Sequence, residues 1–501
     1  MEKRQKPKYE YAAIPILLSL IIYVQGLTGG FVWDDRSLIL QNPIVQNPEK
    51  IFESFKTSLK IFGEDCGYYR PLSVISLALD NLVWQKNAAG FHLTNMFLHI
   101  LVIICLIHLL NQLFGFVKAI FASIFFSTFA VHIENVVFIS GRMDILATLF
   151  MLLSLITYLS VKNRSAFRFI LCYVFTLFAL LSKEISLIYP LVFFLVVIQK
   201  FPRKMRKSHF KDGGLFIGAA FFSYFMLKLI LLNSVINVPE TNLAFWTRII
   251  SIPRLIIFYL QIVLFPYNLN ARHHDFFLGK PQIEILIICI ILLFVIIFAI
   301  VRMKKRWQIT FGWLWFLIGL LPVLNIFPLY GITVAERFLY FPSIGIAILF
   351  AGLLPEDRFS LKPISAEKLL LTLILCVIFV SNIAFAFMRV PVWHDEEIFF
   401  RIMVAQNPQS PLAHHNLGHF YYREGNWIKA EEEYKKAIKI NPFFPAPHAS
   451  LGDIYFRTGQ YQEAIKEYNI YLQLFPDAPN RLATIARIKE LQTFLDKTDN
   501  E

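Results

Sequence analysis

The chain has 501 residues, 56% hydrophobic and only 17% charged, with 51 Phe and a mean hydropathy of +0.56. Soluble domains are about 45–50% apolar and about 25% charged, so a soluble enzyme, a coiled coil, a collagen and a disordered chain are all excluded in favour of a polytopic membrane protein. Of 48 Lys and Arg and 35 Asp and Glu, Arg389 to Glu501 hold 13 and 15, leaving 35 basic against 20 acidic residues in 1–388. The basic excess belongs to the apolar part, where Lys and Arg anchor cytoplasmic loops, and it gives no reason to invoke nucleic acid. The five cysteines are scattered and form no CxxC or disulfide pattern.

In chain order, a basic stretch, MEKRQKPK, precedes an apolar run from Tyr11 to about Leu27 that lacks a cleavage site and reads as a signal anchor. Further spans are predicted at about 92–113, 117–132, 143–161, 167–182, 186–201, 213–232, 283–301, 311–328, 338–354 and 369–388, eleven in all with the first. Their loops alternate in charge. Lys162 with Arg164, Arg203 to Lys207, Arg302 to Arg306, and Arg358 with Lys362 fall on one side, which the positive-inside rule makes the cytoplasm. The apolar segment from Arg248 to Phe265 breaks this alternation if it crosses, so it is expected to be re-entrant or surface-lying. The same ladder puts the N-terminus inside and everything after Arg389 outside the cytoplasm.

The first outside loop, residues 29–90, opens FVWDDRSLILQNP. The adjacent carboxylates Asp34 and Asp35 can hold a proton acceptor near neutral pH, because like charge and desolvation raise one pKa. A hydrated helix cap is the plainer alternative. The same face carries Arg70, His92, His132 with Glu134, Arg142 with Asp144, Lys183 with Glu184, His273-His274-Asp275 and Glu336 with Arg337. His132 and Glu134 are two apart and diverge on a helix, which weakens a metal reading. Lys183 and Glu184 suit pairing across the bundle, while Arg248 and Arg254 suit either anchoring or flanking a lipid. Trp33, Tyr68 and Tyr69 suit stacking on a sugar or simple interfacial anchoring.

After the last span the chain repeats itself. Leu417-Gly418, Tyr421, Ala430 and Tyr434 recur 34 residues later as Leu451-Gly452, Tyr455, Ala464 and Tyr468. This is the tetratricopeptide period and pattern. The predicted repeats are about 411–444 and 445–478, within a domain 389–501, with a lone second helix from Trp393 to Met403 before them and a capping helix from Asn480 to Leu495. First helices carry Asn416, Tyr421, Arg423, Tyr455 and Arg457, where a concave binding face is made. The fold class is therefore all-α, a helical membrane bundle over 1–388 followed by a short α-solenoid.

The segments FVWDD, YYRPLSVISLAL, FHLTNMFLHIL, VHIENVVFISGRMDILATLF, LLSKEISLIYPL and AERFLYFPSIG, followed by the repeats, run in order from Phe31 to Phe475. Together they resemble the transmembrane and tetratricopeptide repeat protein O-mannosyltransferases, class C glycosyltransferases. The resemblance implies transfer of a mannose-like sugar from a polyprenyl-phosphate carrier to a protein Ser/Thr hydroxyl, or to a glycan, on the extracytoplasmic side. It implies that Asp34 or Asp35 takes the acceptor's proton, the other positioning the acceptor or a divalent cation. The lipid phosphate would be met by Arg70, Arg142 and Arg337, with Arg248 and Arg254 beside the carrier and His132, Glu134, Asp144, Lys183, Glu184 and Glu336 as further substrate-binding candidates. Partners would be the lipid-linked sugar, membrane lipid, and a protein held by the repeats. A non-catalytic envelope scaffold is the alternative, and a transporter a third; paired broken helices, the mark of many transporters, are not seen in the sequence.

Overall fold

In hydrocarbon every backbone N–H and C=O has to be satisfied within its own segment or by neighbouring protein, and the apolar runs of this chain accordingly form helices. The computed structural model describes residues 9–61, 64–65, 67–160, 165–232, 245–267, 269–270, 287, 290–291, 294, 307–326, 334–354 and 365–498. It divides into two compact units, residues 1–394 and 395–501.

Among the described residues six helices of the first unit are long and apolar enough to cross a membrane: Glu10–Thr28, Ala88–Phe114, Ile139–Ser160, Arg203–Leu232, Phe245–Leu264 and Ala366–Trp393. A seventh crossing is available if Phe116–Thr128 and Ala130–Val136, bent by 59°, act as one span. The runs expected as spans at 167–182, 186–201, 311–328 and 338–354 form shorter helices of 17, 12, 14 and 11 residues, below the roughly 20 that span a bilayer core. Parts of those runs go instead into short turns, such as Leu321–Val323 and the largely buried Glu336–Leu339. The segment expected not to cross is one helix of 20 residues, unbroken at Pro253. Nearly all of the run at 283–301, and the loops holding Lys162, Arg164, Arg302 to Arg306, Arg358 and Lys362, lie outside the described residues.

The helix Arg142–Ser160 packs along Ala166–Ser182 and Ala88–Phe114. Trp307–Leu320 and Ser343–Leu353 approach backbone to backbone, because Gly312 and Gly345 face each other's carbonyl oxygens with no room for a side chain. Small residues at such crossings are how membrane helices gain close contact. In the first loop, QNPIVQNP folds into two capped turns. Asn42 and Asn47 accept hydrogen bonds from the N–H of Ile44 and Glu49, and Pro43 and Pro48 occupy first helical positions. The only paired strands among the described residues are Lys60–Ile61 and Glu64–Asp65, also in this loop.

The second unit pairs Pro411–Arg423 with Trp427–Ile440 and Pro445–Arg457 with Tyr461–Leu474, preceded by Glu396–Gln406 and followed by Arg481–Thr498. Its hydrogen bonds repeat with the sequence. His414 and His448 bond Glu433 and Glu467 at 2.6 Å, and Tyr421 and Tyr455 donate to Glu397 and Glu431 at 3.2 Å. The two tyrosines, with Arg423 paired to Glu396, thus tie each repeat to its predecessor. The lone helix begins at Glu396 rather than Trp393, since the Asp395 side chain caps it by accepting from the N–H of Glu397 and Ile398. Residues 389–394 belong to the membrane-side unit, six residues beyond the expected boundary at 388: Arg389 pairs with Glu336 at 3.6 Å, and Gly30 N–H donates to His394 O at 2.9 Å.

Gly452 lies against the ring of Tyr468, where an added Cβ would clash. Gly452→Ala is expected to destabilise the repeat unit by about 1–3 kcal/mol, the usual cost of overpacking. Hydrogen exchange in the full-length protein should show faster amide exchange confined to 395–501.

Candidate functional site

The first loop leaves its span through Gly29 and Gly30 and turns at Trp33, whose φ of 55° is left-handed. Such backbone is uncommon for a bulky L-residue, and it immediately precedes the two carboxylates. Asp35 is 1% exposed. Its Oδ1 accepts from the N–H (2.8 Å) and hydroxyl (2.5 Å) of Ser140, and its Oδ2 from the N–H of Val32 at 3.2 Å. Burial pushes Asp35 up to about 7, against the pull of those three hydrogen bonds and with a further push from Asp34. Asp34 is only partly buried. The adjacent carboxylates therefore have different environments: Asp35 staples the first loop to the 138–140 turn, and Asp34 lies at its edge.

Around Arg337, which feels the charge of Asp34, the described structure gathers charged residues from five segments. Arg337 pairs with Glu134 Oε1, while its backbone N–H donates to Glu134 Oε2 at 2.9 Å. Lys183 Nζ lies 2.6 Å from Asp144 Oδ2, and Arg70 donates through Nε and Nη2 to Glu184 Oε2 at 2.8 Å. These pairs form one electrostatic neighbourhood. Burial would lower the Arg337 pKa, but Glu134, Asp34 and Asp144 outweigh it and hold Arg337 above its ordinary value. Arg70 is held up in the same way, against burial, chiefly by Glu184. Burial brings Lys183 down to about 8; Asp144 opposes this, and Arg70 and Arg337 add to it. The ring of Phe338 lies between two of the cations, 5.5 Å from Lys183 Nζ and 5.6 Å from Arg337 Cζ. Asp144 Oδ1 and Glu184 Oε1 are buried without a hydrogen-bond partner. These charges sit where helices end in turns, so the helices provide a rigid frame for them.

Other candidates stand elsewhere. Arg142 is 1% exposed and wholly engaged by Asp80, Asn95, Ser76 and the carbonyl of Phe91, which makes it a strut rather than a ligand for phosphate. His132 diverges from Glu134 and shares a 2.8 Å hydrogen bond with Ser343. Arg248 donates to Ile326 O at 3.3 Å, and Arg254 is exposed on the same helix. Glu336 is fully buried beside Arg389 and is pushed up by burial. His273-His274-Asp275 lies outside the described residues. Both Asp35 oxygens already accept hydrogen bonds, and among the described residues no group of three or more His, Cys, Asp or Glu is placed to hold a metal.

Several members of this site were not singled out from the sequence. Ser140 and Phe138 lie inside the motif VHIENVVFISGRMD, yet a Ser and a Phe there are indistinguishable from ordinary turn and core residues. Lys228, 8% exposed and within electrostatic reach of Glu184, reads as an isolated charge in an apolar run. Arg389 resembles a boundary anchor. An ionisable residue inside a span was the one available signal.

Comparison with known proteins adds the following. Residues 418–459 match the family model for a TPR repeat, and residues 445–478 that for a tetratricopeptide repeat. The chain is similar to a protein O-mannosyl-transferase of Caenorhabditis elegans, 27% identical over 83% of the chain and 61% of that protein. It is 24% identical to protein O-mannosyl-transferase TMTC4 of Mus musculus, over 82% of the chain and 64% of the relative. Protein O-mannosyl-transferase TMTC1 of Homo sapiens is 24% identical, over 83% of the chain and 53% of the relative. The chain thus spans less than two thirds of the length of these curated relatives.

The Asp35 environment has a pH signature. With its folded pKa raised from 3.8 to about 7, Asp35 takes up a proton on folding between those values, so its stabilising contribution is complete below about pH 4 and is lost as pH rises through about 7. Thermal unfolding in detergent should show wild type losing stability relative to Asp35→Asn from about pH 4 to about pH 7, with a constant difference above.

Proposed function

We propose that the protein is an integral-membrane glycosyltransferase that moves a mannose-like sugar from a polyprenyl phosphate to a Ser or Thr hydroxyl of a protein on the extracytoplasmic side. The observation that carries this reading is the partly exposed Asp34 within electrostatic reach of Arg337, which clusters with Lys183 and Arg70 from separate elements. The names of the similar proteins support the same reaction class.

Asp34 is the base, because a base has to reach its proton before its pKa matters, and both oxygens of Asp35 are occupied. The acceptor hydroxyl gives its proton to Asp34 as its oxygen bonds to the anomeric carbon. The bond from that carbon to the phosphate oxygen breaks, its electron pair stays with the lipid phosphate, and the leaving group passes from one negative charge to two. Arg337, Lys183 and Arg70 meet that charge. Each is already oriented by a carboxylate, so little reorganisation is needed when the charge develops, which is how preorganised groups lower a barrier. The tetratricopeptide repeats would hold a protein acceptor or partner, raising its effective concentration.

Asp34→Asn should reduce transfer from a polyprenyl-phosphate-linked mannose to a threonine-containing peptide by about 10²–10⁴-fold, the usual range for a lost general base. Wild-type turnover in a folded Asp34→Asn protein would favour the scaffold alternative.

Sidedness is separately testable. With the five native cysteines replaced, Gln460→Cys should react with an impermeant maleimide from the extracytoplasmic side only. Labelling from the cytoplasm would mean that Phe245–Leu264 crosses and reverses the later loops.

A further inference from the structure

The turn that follows the last long helix is built into the seat of the Asp34 loop. Trp393 is 1% exposed and stacks on Phe138, with ring centroids 4.9 Å apart and planes within 27°. Phe138 stacks in turn on Trp33, at 6.1 Å and 23°. The three rings therefore form a continuous buried column. At one end is the residue held in the left-handed region immediately before Asp34. In the middle is the turn that supplies the Ser140 donors to Asp35. At the other end, His394 O accepts from Gly30 N–H at 2.9 Å, clamping the start of the same loop. A bulky residue keeps such a backbone conformation only where its surroundings over-determine it, and here the column and the Asp35 staple do so together.

The turn also touches the cationic side. Arg389 pairs at 3.6 Å with Glu336, the neighbour of Arg337. Residues 389–394 are thus tied both to the loop of the proposed base and to the turn of the proposed phosphate-binding arginine.

We infer that Phe138 and Trp393 are positioning residues for the transfer reaction: their stack on Trp33 sets the direction of the Asp34 carboxylate relative to Arg337. The inference rests on Asp34 as the base. It makes the stretch leading into the repeats part of the transfer machinery, although it touches no substrate.

The test uses the full-length protein in lipid nanodiscs with a polyprenyl-phosphate-linked mannose and a threonine-containing peptide. Phe138→Leu and Trp393→Leu should each lower kcat by about 10–100-fold, as a misplacement of about 1 Å does, with the donor KM within about twofold of wild type. Trp393→Phe, which keeps a stacking ring, should recover most of the rate. The double variant should be no slower than either single one, since both act through one column. Trp427→Phe, at the corresponding position of the first repeat, serves as a control with unchanged rate. Wild-type kcat in folded Phe138→Leu and Trp393→Leu proteins, with Asp34→Asn inactive, would overturn the inference and leave the base assignment standing. Active Asp34→Asn would remove the base assignment and the inference with it. A loss tracking the fall in melting temperature, a matching rise in donor KM, or additive effects in the double variant would each reduce the column to a fold element and overturn it.

Discussion

A charge enclosed by apolar helices has no water to solvate it, so it has to find its counter-charge within the protein. This constraint organises the membrane-side unit. Glu134 with Arg337, Asp144 with Lys183, Glu184 with Arg70 and Asp80 with Arg142 each join elements distant in sequence. Removing one partner would leave the other as a buried lone charge, at a cost of about 3–5 kcal/mol. The pairs consequently lock the turns between helices into one arrangement. Three of the four share one electrostatic neighbourhood, and its Arg337 also feels Asp34, so the interactions that make burial tolerable are those that orient the cations.

The Asp34-Asp35 dipeptide shows how one motif divides its labour. Two adjacent carboxylates cannot both be buried cheaply, because each raises the other's pKa. Asp35 is enclosed and offset by three donors, and Asp34 keeps access. The backbone just before them is strained, with Trp33 at a φ of 55°. That strain is sustained by aromatic stacking on Phe138 and Trp393 rather than by a glycine, so the conformation depends on tertiary packing.

The repeat unit is governed differently. Its stability is local, each helix pair packing on the next, and so its hydrogen bonds recur every 34 residues along with its small residues and aromatics. A half repeat precedes the two full ones. Asp395 caps its helix, and Glu396 and Glu397 bond Arg423 and Tyr421 of the following repeat.

By itself the sequence determined the class of the protein, the main apolar helices, the repeats and most of the candidate charges, because hydrophobic run length, a 34-residue period and residue type are local properties. Tertiary structure alone decided which charges meet. Arg70, Arg142 and Arg337 are equivalent on paper, yet Arg142 is consumed by Asp80 and Asn95, while Arg70 joins the charges around Lys183 and Arg337 also feels Asp34. Asp34 and Asp35 are likewise neighbours in sequence, yet Asp35 is fully buried and Asp34 only partly. Ser140, Phe138, Lys228, Arg389 and Trp393 carry no local mark of their roles. Those roles arise from contacts across 44 residues, as between Glu184 and Lys228, to 255, as between Phe138 and Trp393, and from the placement of turns that hydrophobicity does not encode. Pairing in a low-dielectric interior is decided by distance in space, and apolar composition constrains that distance only loosely.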